Sequence, residues 1–296
     1  MKIVSLLPSA TEICFALGLN NKLKTVTFEC DFPEAARLKP NATGNAIPQV
    51  DDPAEIDRLV RASMDAGAPI YTLDADLIRE IDPDLVLAQD LCRVCAVPSG
   101  HIEDALDKIG RRARVLSLDP SGLDDVIDCV ERVADVAGVA ERGTKVAAAL
   151  RERLETVRTA TAARERIATL TLEWSEPAFV GGHWVPEMVE AAGGHDVLGA
   201  ARQRSRTVEW SEIGATDADV AVFMPCGYDL EAAVAEGEKL LGRPELDGVA
   251  RIYAADATAY FSRPGPRVVD GVELLAWALH PEEFPVPPRG RITRLR

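Results

Sequence analysis

Short apolar runs rich in β-branched residues alternate along this chain with amphipathic stretches of helical period. From the N-terminus the pattern predicts a strand over 3–6, a helix over 10–17, a strand over 25–28 and a proline-rich irregular stretch. A helix over 53–66, a strand over 85–88, a helix over 102–109 and a strand over 115–118 follow. The style then repeats, with a strand over 168–172, a helix over 186–192, a strand over 220–223, a helix over 230–241, a strand over 252–255 and a closing helix over 268–279. Strands alternating with helices predict parallel sheets covered by helices on their faces. Ser9-Ala10-Thr11-Glu12 reads as a capping box for the first helix, and Gly18 as its stop after Leu17.

The chain also repeats itself. Asp82-Pro83-Asp84-Leu85-Val86-Leu87-Ala88-Gln89 and Asp217-Ala218-Asp219-Val220-Ala221-Val222-Phe223-Met224 share one plan: an acidic turn closing a helix, a buried strand, then a loop that carries a thiol. Two lobes follow, with their post-strand loops, where ligands sit in open parallel sheets, facing each other across a cleft. Between the copies, residues 142–166 contain no proline and one glycine, while Val146, Leu150, Leu154 and Val157 recur at helical spacing. That is one long helix; roughly 20 residues of it span about 30 Å. Such a helix holds two lobes at a nearly fixed angle, whereas a Gly/Ser linker leaves them free. The organisation expected is an N-terminal α/β lobe over 1–138, a linker helix over 139–166 and a C-terminal α/β lobe over 167–296. A crossover helix inside one large sheet is the alternative.

Length and composition admit this reading and exclude others. A chain of 296 residues, 47% apolar, can bury two cores of ordinary size, and a net charge of −15 argues against nucleic acid. The basic cluster Arg289, Arg291, Arg294 and Arg296 reads as a solvated end. No apolar run reaches the ~18 residues that span a bilayer. Pro8, Ser9, Thr11 and Glu12 interrupt any signal-peptide core behind Lys2, so the expectation is a cytoplasmic protein as the chain stands, or an extracytoplasmic one if a leader was removed. Leu7-Pro8-Ser9 stands where a glycine-rich phosphate loop would follow the first strand, which speaks against nucleotide chemistry.

The candidate chemistry lies in aromatic residues and thiols. Trp174, Trp184, Trp210, Tyr228, Tyr260 and Phe261 fall at or beyond predicted strand ends in a chain only 5% aromatic. Each can bury about 150–250 Å² of surface. Trp210, near a helix start, suits core packing nearly as well, and Trp277 is assigned to the core. Of six cysteines, Cys30, Cys92, Cys95 and Cys226 belong to post-strand loops, while Cys14 and Cys129 sit within helices as small core hydrophobes. Three readings of the loop thiols stay open: a thiolate or His183 ligand to a metal, a Cys92–Cys95 redox disulfide, or plain lining of a cleft. A thiol enzyme with Cys30 as nucleophile and His183 as base is the reading of another class. Glu29 and Asp31 oppose it, because neighbouring carboxylates disfavour a thiolate.

Lys2-Ile3-Val4-Ser5-Leu6-Leu7-Pro8-Ser9-Ala10-Thr11-Glu12, the Asp82–Val86 run, the long mid-chain helix and Gly193-Gly194 ahead of Asp196-Val197-Leu198 together resemble the cobalamin and siderophore-chelate solute-binding proteins of ABC importers. The resemblance covers nearly the whole chain. Leu91-Cys92-Arg93-Val94-Cys95-Ala96-Val97 and Gly182-His183-Trp184-Val185-Pro186-Glu187 are similar to the branch called cobalamin-binding proteins. The resemblance implies two Rossmann-like lobes with parallel-type sheets on a rigid helical backbone, one corrinoid held between them, and an ABC permease as partner.

The binding residues expected are Ser5, Pro8, Ser9, Glu29, Cys30, Asp31, Gln89, Asp90, Leu91 and Cys92 from the first lobe. The second lobe would add Trp174, His183, Trp184, Cys226, Gly227, Tyr228, Tyr260, Phe261 and Arg263. Asp76 and Glu212 are the acidic residues that the resemblance points to for permease docking. Another tetrapyrrole or an iron–siderophore chelate is the alternative cargo. No resident cofactor, zinc or iron is expected, nor catalysis, and the protein is expected to be a monomer.

Overall fold

A computed structural model of the chain describes every residue except 49, 51, 91–101, 103–105 and 108–111. The helix expected over 102–109 therefore lies largely outside the described residues. The chain divides into two compact units, one made of Met1–Pro120 with Ile127–Ala147, the other of Ser121–Val126 with Ala148–Arg296.

The first unit contains β1 (Ile3–Ser5), α1 (Pro8–Ala16), β2 (Leu23–Thr25), β3 (Thr43–Asn45), α2 (Pro53–Asp65), β4 (Tyr71–Leu73), α3 (Ala75–Ile81), β5 (Leu85–Ala88) and β6 (Arg114–Ser117). Its main sheet has the order β2-β1-β5-β6 and is parallel throughout; β3 and β4 pair separately and antiparallel. Every residue of β1 and β5 is buried, as strands covered on both faces must be. Val4, Leu6, Ile78, Val86 and Ala88 meet in one apolar cluster on this sheet.

The second unit begins at the start of α4 (Leu123–Val136), leaves the chain for a stretch, and resumes within α5 (Ala140–Thr161). It continues with β7 (Ile167–Ser175), β8 (Ala178–Val180), α6 (Val185–Ala191), β9 (Gly194–Asp196), β10 (Arg206–Thr207) and α7 (Trp210–Gly214). Next come β11 (Val220–Phe223), α8 (Leu230–Leu240), β12 (Arg251–Ala255), α9 (Ala257–Tyr260), α10 (Val268–Leu279) and β13 (Ile292–Arg294). The sheet order is β10-β8-β7-β11-β12-β13, with β9 also on β7. β9 and β11 run parallel to β7, and β12 runs parallel to β11; β8, β10 and β13 are antiparallel to their neighbours. A two-residue turn after β7 leaves β8 no room for a crossover, so it must return antiparallel.

The repeat seen in the sequence has one structural meaning in both units. Asp84 N donates to Lys2 O (2.9 Å) while Asp84 Oδ2 accepts from Lys2 N (2.6 Å); Asp219 N donates to Ala168 O (2.8 Å) while Asp219 Oδ2 accepts from Ala168 N (3.3 Å). Each aspartate thus locks the entrance of its strand to the entrance of the central neighbour. On the other side, Asp84 O and Asp219 O accept from Arg114 N and Arg251 N, at 3.0 and 3.2 Å. The backbone hydrogen bond from Lys2 is the main reason the Asp84 carboxyl sits below its ordinary range.

Several local expectations change. The capping box at Ser9 is not formed: Leu7 is the N-cap, Pro8 takes the first helical position, and Ser9 is buried inside α1. Proline suits that position because its missing N–H would be an orphan there anyway. Gly18 does end α1, with φ +67° and Leu19 N donating back to Cys14 O at 2.8 Å. β2 stops at Thr25, three residues earlier than expected, which leaves Phe28 in a loop. The mid-chain helix runs over Ala140–Thr161 and buries Gly143, Ala147, Leu150, Leu154, Val157 and Thr161 as one stripe. Gly143 is required there, since a Cβ would stand 2.4 Å from the Ala134 Cβ of α4. Of the basic tail, Arg289 and Arg294 are exposed as a solvated end would be, while Arg291 and Arg296 are not. β13 pairs with β12, and Arg296 donates to Leu246 O (2.7 Å) and Leu241 O (3.0 Å), satisfying carbonyls beyond the end of α8.

Candidate functional site

In the first unit the loop after β1 is held by a chain of hydroxyls and a thiol. Ser5 Oγ donates to Leu7 O (3.0 Å) and Thr11 Oγ1 donates to Ser5 Oγ (2.9 Å). The single Thr11 hydroxyl proton is then used, so at 3.1 Å from Cys30 Sγ it accepts and the thiol donates. Cys30 is 5% exposed, and Ser5, Pro8, Ser9 and Gln89 are buried as well. Cys30 is therefore an interior thiol, hydrogen-bonded behind the loop rather than open to solvent as a nucleophile would be. Cys14 and Cys129 are buried too, and burial pushes their thiols up to about 12 and about 11.

What this unit does expose beside the predicted Glu29 and Asp31 is aromatic. Phe28 and Phe32 are 38% and 46% exposed. The Phe28 ring lies 6.1 Å from that of Tyr71, whose hydroxyl donates to Glu29 Oε1 at 3.4 Å. The sequence pattern does not point to these three, because Phe28 lies within the span expected as a strand and Tyr71 falls in β4, which the pattern does not reveal. The signal was available in Phe28 and Phe32, which flank the Glu29–Asp31 segment already selected. Asp90 is exposed at the end of β5, its N–H donating to Asp119 Oδ1 (2.6 Å) and its Oδ2 accepting from Ser117 Oγ (3.1 Å). Leu91, Cys92 and Cys95 lie outside the described residues.

In the second unit the ends of β7, β11 and β12 bring several predicted residues together. Trp174 meets Tyr228 edge to face at 5.4 Å. Cys226, exposed, donates its N–H to Glu173 O (3.1 Å), and Gly227, at φ +82°, completes a turn in which Tyr228 N donates to Pro225 O (3.0 Å). Thr258 N donates to Tyr228 O (3.1 Å), while the Thr258 hydroxyl is buried without a partner. Tyr260 follows, half-buried, with the guanidinium carbons of Arg291 and Arg267 at 5.4 and 5.8 Å from its ring centroid. Burial raises the Tyr260 pKa against the opposing pull of those arginines. Arg263 is half-buried in the same loop.

Trp184 and Phe261 belong elsewhere. They are 6% and 1% exposed, and the Trp184 indole donates to Phe261 O at 2.8 Å, so both are interior residues rather than ligand faces. Trp210 likewise packs on the core of this unit, with Arg243 stacked 3.8 Å over its ring.

His183 sits in an unusual backbone knot. It and Arg202 both have positive φ, +50° and +63°, and they are tied together: His183 N donates to Gln203 O (2.5 Å) and Arg202 N to His183 O (2.8 Å). The imidazole Nε2 is buried with no hydrogen-bond partner, and burial, aided by the Arg204 charge, holds the ring below its ordinary pKa and hence neutral at pH 7. Arg202 reaches the start of α4, pairing with Asp125 (3.1 and 3.2 Å) and with Glu187 (2.9 Å), whose Oε2 accepts from Leu123 N at 2.5 Å.

Of the two expected docking residues, Asp76 is paired with Arg79 in the first turn of α3. Glu212 closes a capping box on α7 with Glu209 N (3.0 Å) and pairs with Arg206 (3.3 Å). Among the described residues no group of three or more His, Cys, Asp and Glu is placed to hold a metal ion, and no helix is long and apolar enough to cross a membrane.

A family model described as periplasmic binding protein matches residues 3–250. A relative named vitamin B12-binding protein, from Vibrio cholerae serotype O1, is 25% identical over 278 residues, covering 92% of this chain and 86% of its own. An uncharacterized ABC transporter substrate-binding lipoprotein of Bacillus subtilis is 23% identical over 297 residues, covering 96% and 81%. Among solved structures, a periplasmic vitamin B12 binding protein of Vibrio cholerae superposes with a TM-score of 0.69 at 24% identity, covering 94% of this chain and 96% of that one. A periplasmic heme binding protein from Pseudomonas aeruginosa gives 0.71 at 20% identity, covering 99% and 97%.

Proposed function

We propose that this chain, which belongs to the periplasmic binding protein family, is a solute-binding protein whose cargo is a metal-bearing ring of the tetrapyrrole class, with a corrinoid as the first choice. The observation that carries the reading is that each unit, taken by itself, groups aromatic side chains around its loops: Phe28 and Phe32 beside Tyr71 of β4 in the first unit, and Tyr228 beside Trp174 near the end of β7, with Tyr260 at the end of α9, in the second. It is joined to a vitamin B12-binding relative that aligns over nearly the whole length. Flat aromatic faces with polar rims are what a macrocycle with peripheral amides or acids requires.

Glu29, Asp31, Asp90, Cys226, Gly227 and Arg263 stay in the proposed contact set; Trp184, Phe261 and the buried Cys30 support it from within. The shared fold with heme-binding proteins makes heme the second cargo to test, and iron–siderophore chelates the third. The family implies an ABC-type permease as the partner that receives the cargo, with Asp76 and Glu212 as docking residues. Relatives described as periplasmic or as a lipoprotein lend no support to a cytoplasmic placement, and the site of action proposed is outside the cytoplasmic membrane.

Titration of tryptophan fluorescence tests the reading. A corrinoid, hemin and a ferric siderophore are added separately, and saturable quenching at one equivalent of corrinoid is the expected result. Quenching by hemin alone would move the assignment to the second cargo. No binding of either ring at tens of micromolar would overturn the proposal.

A further inference from the structure

The loop after β2 folds a thiol back against α1 of its own unit. Thr27 closes a tight turn, its Oγ1 accepting from Glu29 N (3.0 Å) and its carbonyl from Cys30 N (3.1 Å). The turn leaves Phe28 exposed and sends Cys30 inward, where its Sγ stands 3.1 Å from Thr11 Oγ1 of α1. Cys14 lies one turn further along the same helix, and helical residues spaced as Thr11 and Cys14 are share a face, with Cβ atoms about 5–6 Å apart. Helical side chains lean toward the N-terminus of their helix, so the Cys14 thiol leans back toward the turn that carries Thr11 and meets Cys30. The two sulfurs feel each other: burial is the main cause that lifts the Cys14 thiol to about 12, and Cys30 adds to it. Both are interior, at 0% and 5% exposure.

We infer that Cys14 and Cys30 are joined as a disulfide when the chain folds in an oxidising compartment, a bond that pins the segment 28–32, with its exposed aromatic residues, to α1. The inference rests on the placement outside the cytoplasmic membrane proposed above, where disulfide-bearing oxidants are at hand, and on no choice of cargo. Cys30, the less covered of the two, attacks a disulfide of the oxidant as a thiolate and releases the first oxidant thiol. Cys14 then attacks the Cys30 sulfur of the mixed disulfide and releases the second. Two protons and two electrons pass from the pair to the oxidant, which leaves as two thiols. The step belongs to folding, before α1 is covered, because the finished interior keeps a reagent out.

The experiment uses the full chain with Cys92→Ser, Cys95→Ser and Cys226→Ser, which leaves Cys14, Cys30 and Cys129. Refolded from urea in a mixture of reduced and oxidised glutathione, this protein should keep only Cys129 reactive toward a thiol reagent in denaturant, and a peptide map should join Cys14 to Cys30. The bond should lower the unfolding equilibrium constant about a hundredfold relative to the same chain with the bond reduced, as closing a loop of about 15 residues does by restricting the unfolded chain. Cys14→Ala and Cys30→Ala should each abolish the cross-link and the gain. Because the refolding buffer supplies the oxidant, the result does not depend on where the protein resides. All the remaining thiols still reactive after refolding, or a bridge that uses Cys129, overturns the inference. So does a Cys14–Cys30 bond that leaves the unfolding constant unchanged or raises it, since the two sulfurs are then not neighbours in the native fold. Should an alanine variant fail to refold, the peptide map of its parent decides alone.

Discussion

A buried indole whose N–H is satisfied inside its own unit acts as a girder, and Trp184 is in that position. It packs at the head of α6 and ties the loop after α9 through Phe261 O. Replacing Trp184 by Phe removes the donor, leaves a buried carbonyl unpaired and should cost about 1–3 kcal/mol in urea unfolding. Phe32→Ala, at an exposed loop position, should change stability by no more than about 0.5 kcal/mol while weakening ring binding by about 1–3 kcal/mol. The reverse pattern would return Trp184 to the ligand face and make Phe32 structural. Residue type alone could not separate the two, since both are aromatics beside predicted strand ends. What separates them is the depth of a side chain, and that depends on partners such as Phe261 that lie far along the chain.

Elements with a strong local period were legible. β5, β11 and α10 fall where alternation, β-branching and apolar spacing place them, because each buries a continuous apolar run that no other register could hide. β8, β10 and β13 were not legible: they are two or three residues long and exist because a neighbouring strand offers free backbone groups. The pair α4 and α5 shows the same division, its period readable and its closeness not. Gly143→Ala improves intrinsic helix propensity by about 1 kcal/mol yet forces two Cβ atoms to 2.4 Å. The net effect expected is a loss of about 1–3 kcal/mol, read from the urea midpoint. Ala134→Gly in the same chain should recover most of it, because the clash is pairwise.

At the scale of the whole molecule, the repetition read in the sequence reappears as two equivalent strand entrances, one in each unit. Asp84 and Asp219 mark equivalent strand entrances because a parallel sheet needs its central strands locked at the same end, and the lock uses the same residue type in both units. How the chain is shared between the units was not legible, since it depends on side chains far apart in sequence. Arg202 and Glu187 claim the turn at 121–126, while the rest of α4 packs with residues of the other unit.

That sharing bears on the order of synthesis. A ribosome releases the six residues at 121–126 well before Glu187 and Arg202 exist, so Asp125 and the Leu123 N–H wait unpartnered while the first unit closes around residues on both sides of them. A gene split after residue 147 should therefore yield two pieces that are each incomplete: one carries a turn without its clamp, the other a clamp without its turn. Co-expressed, residues 1–147 and 148–296 should co-purify as a complex, and Arg202→Ala should loosen it. Two pieces that fold alone and ignore each other would show that the turn belongs to the first unit after all.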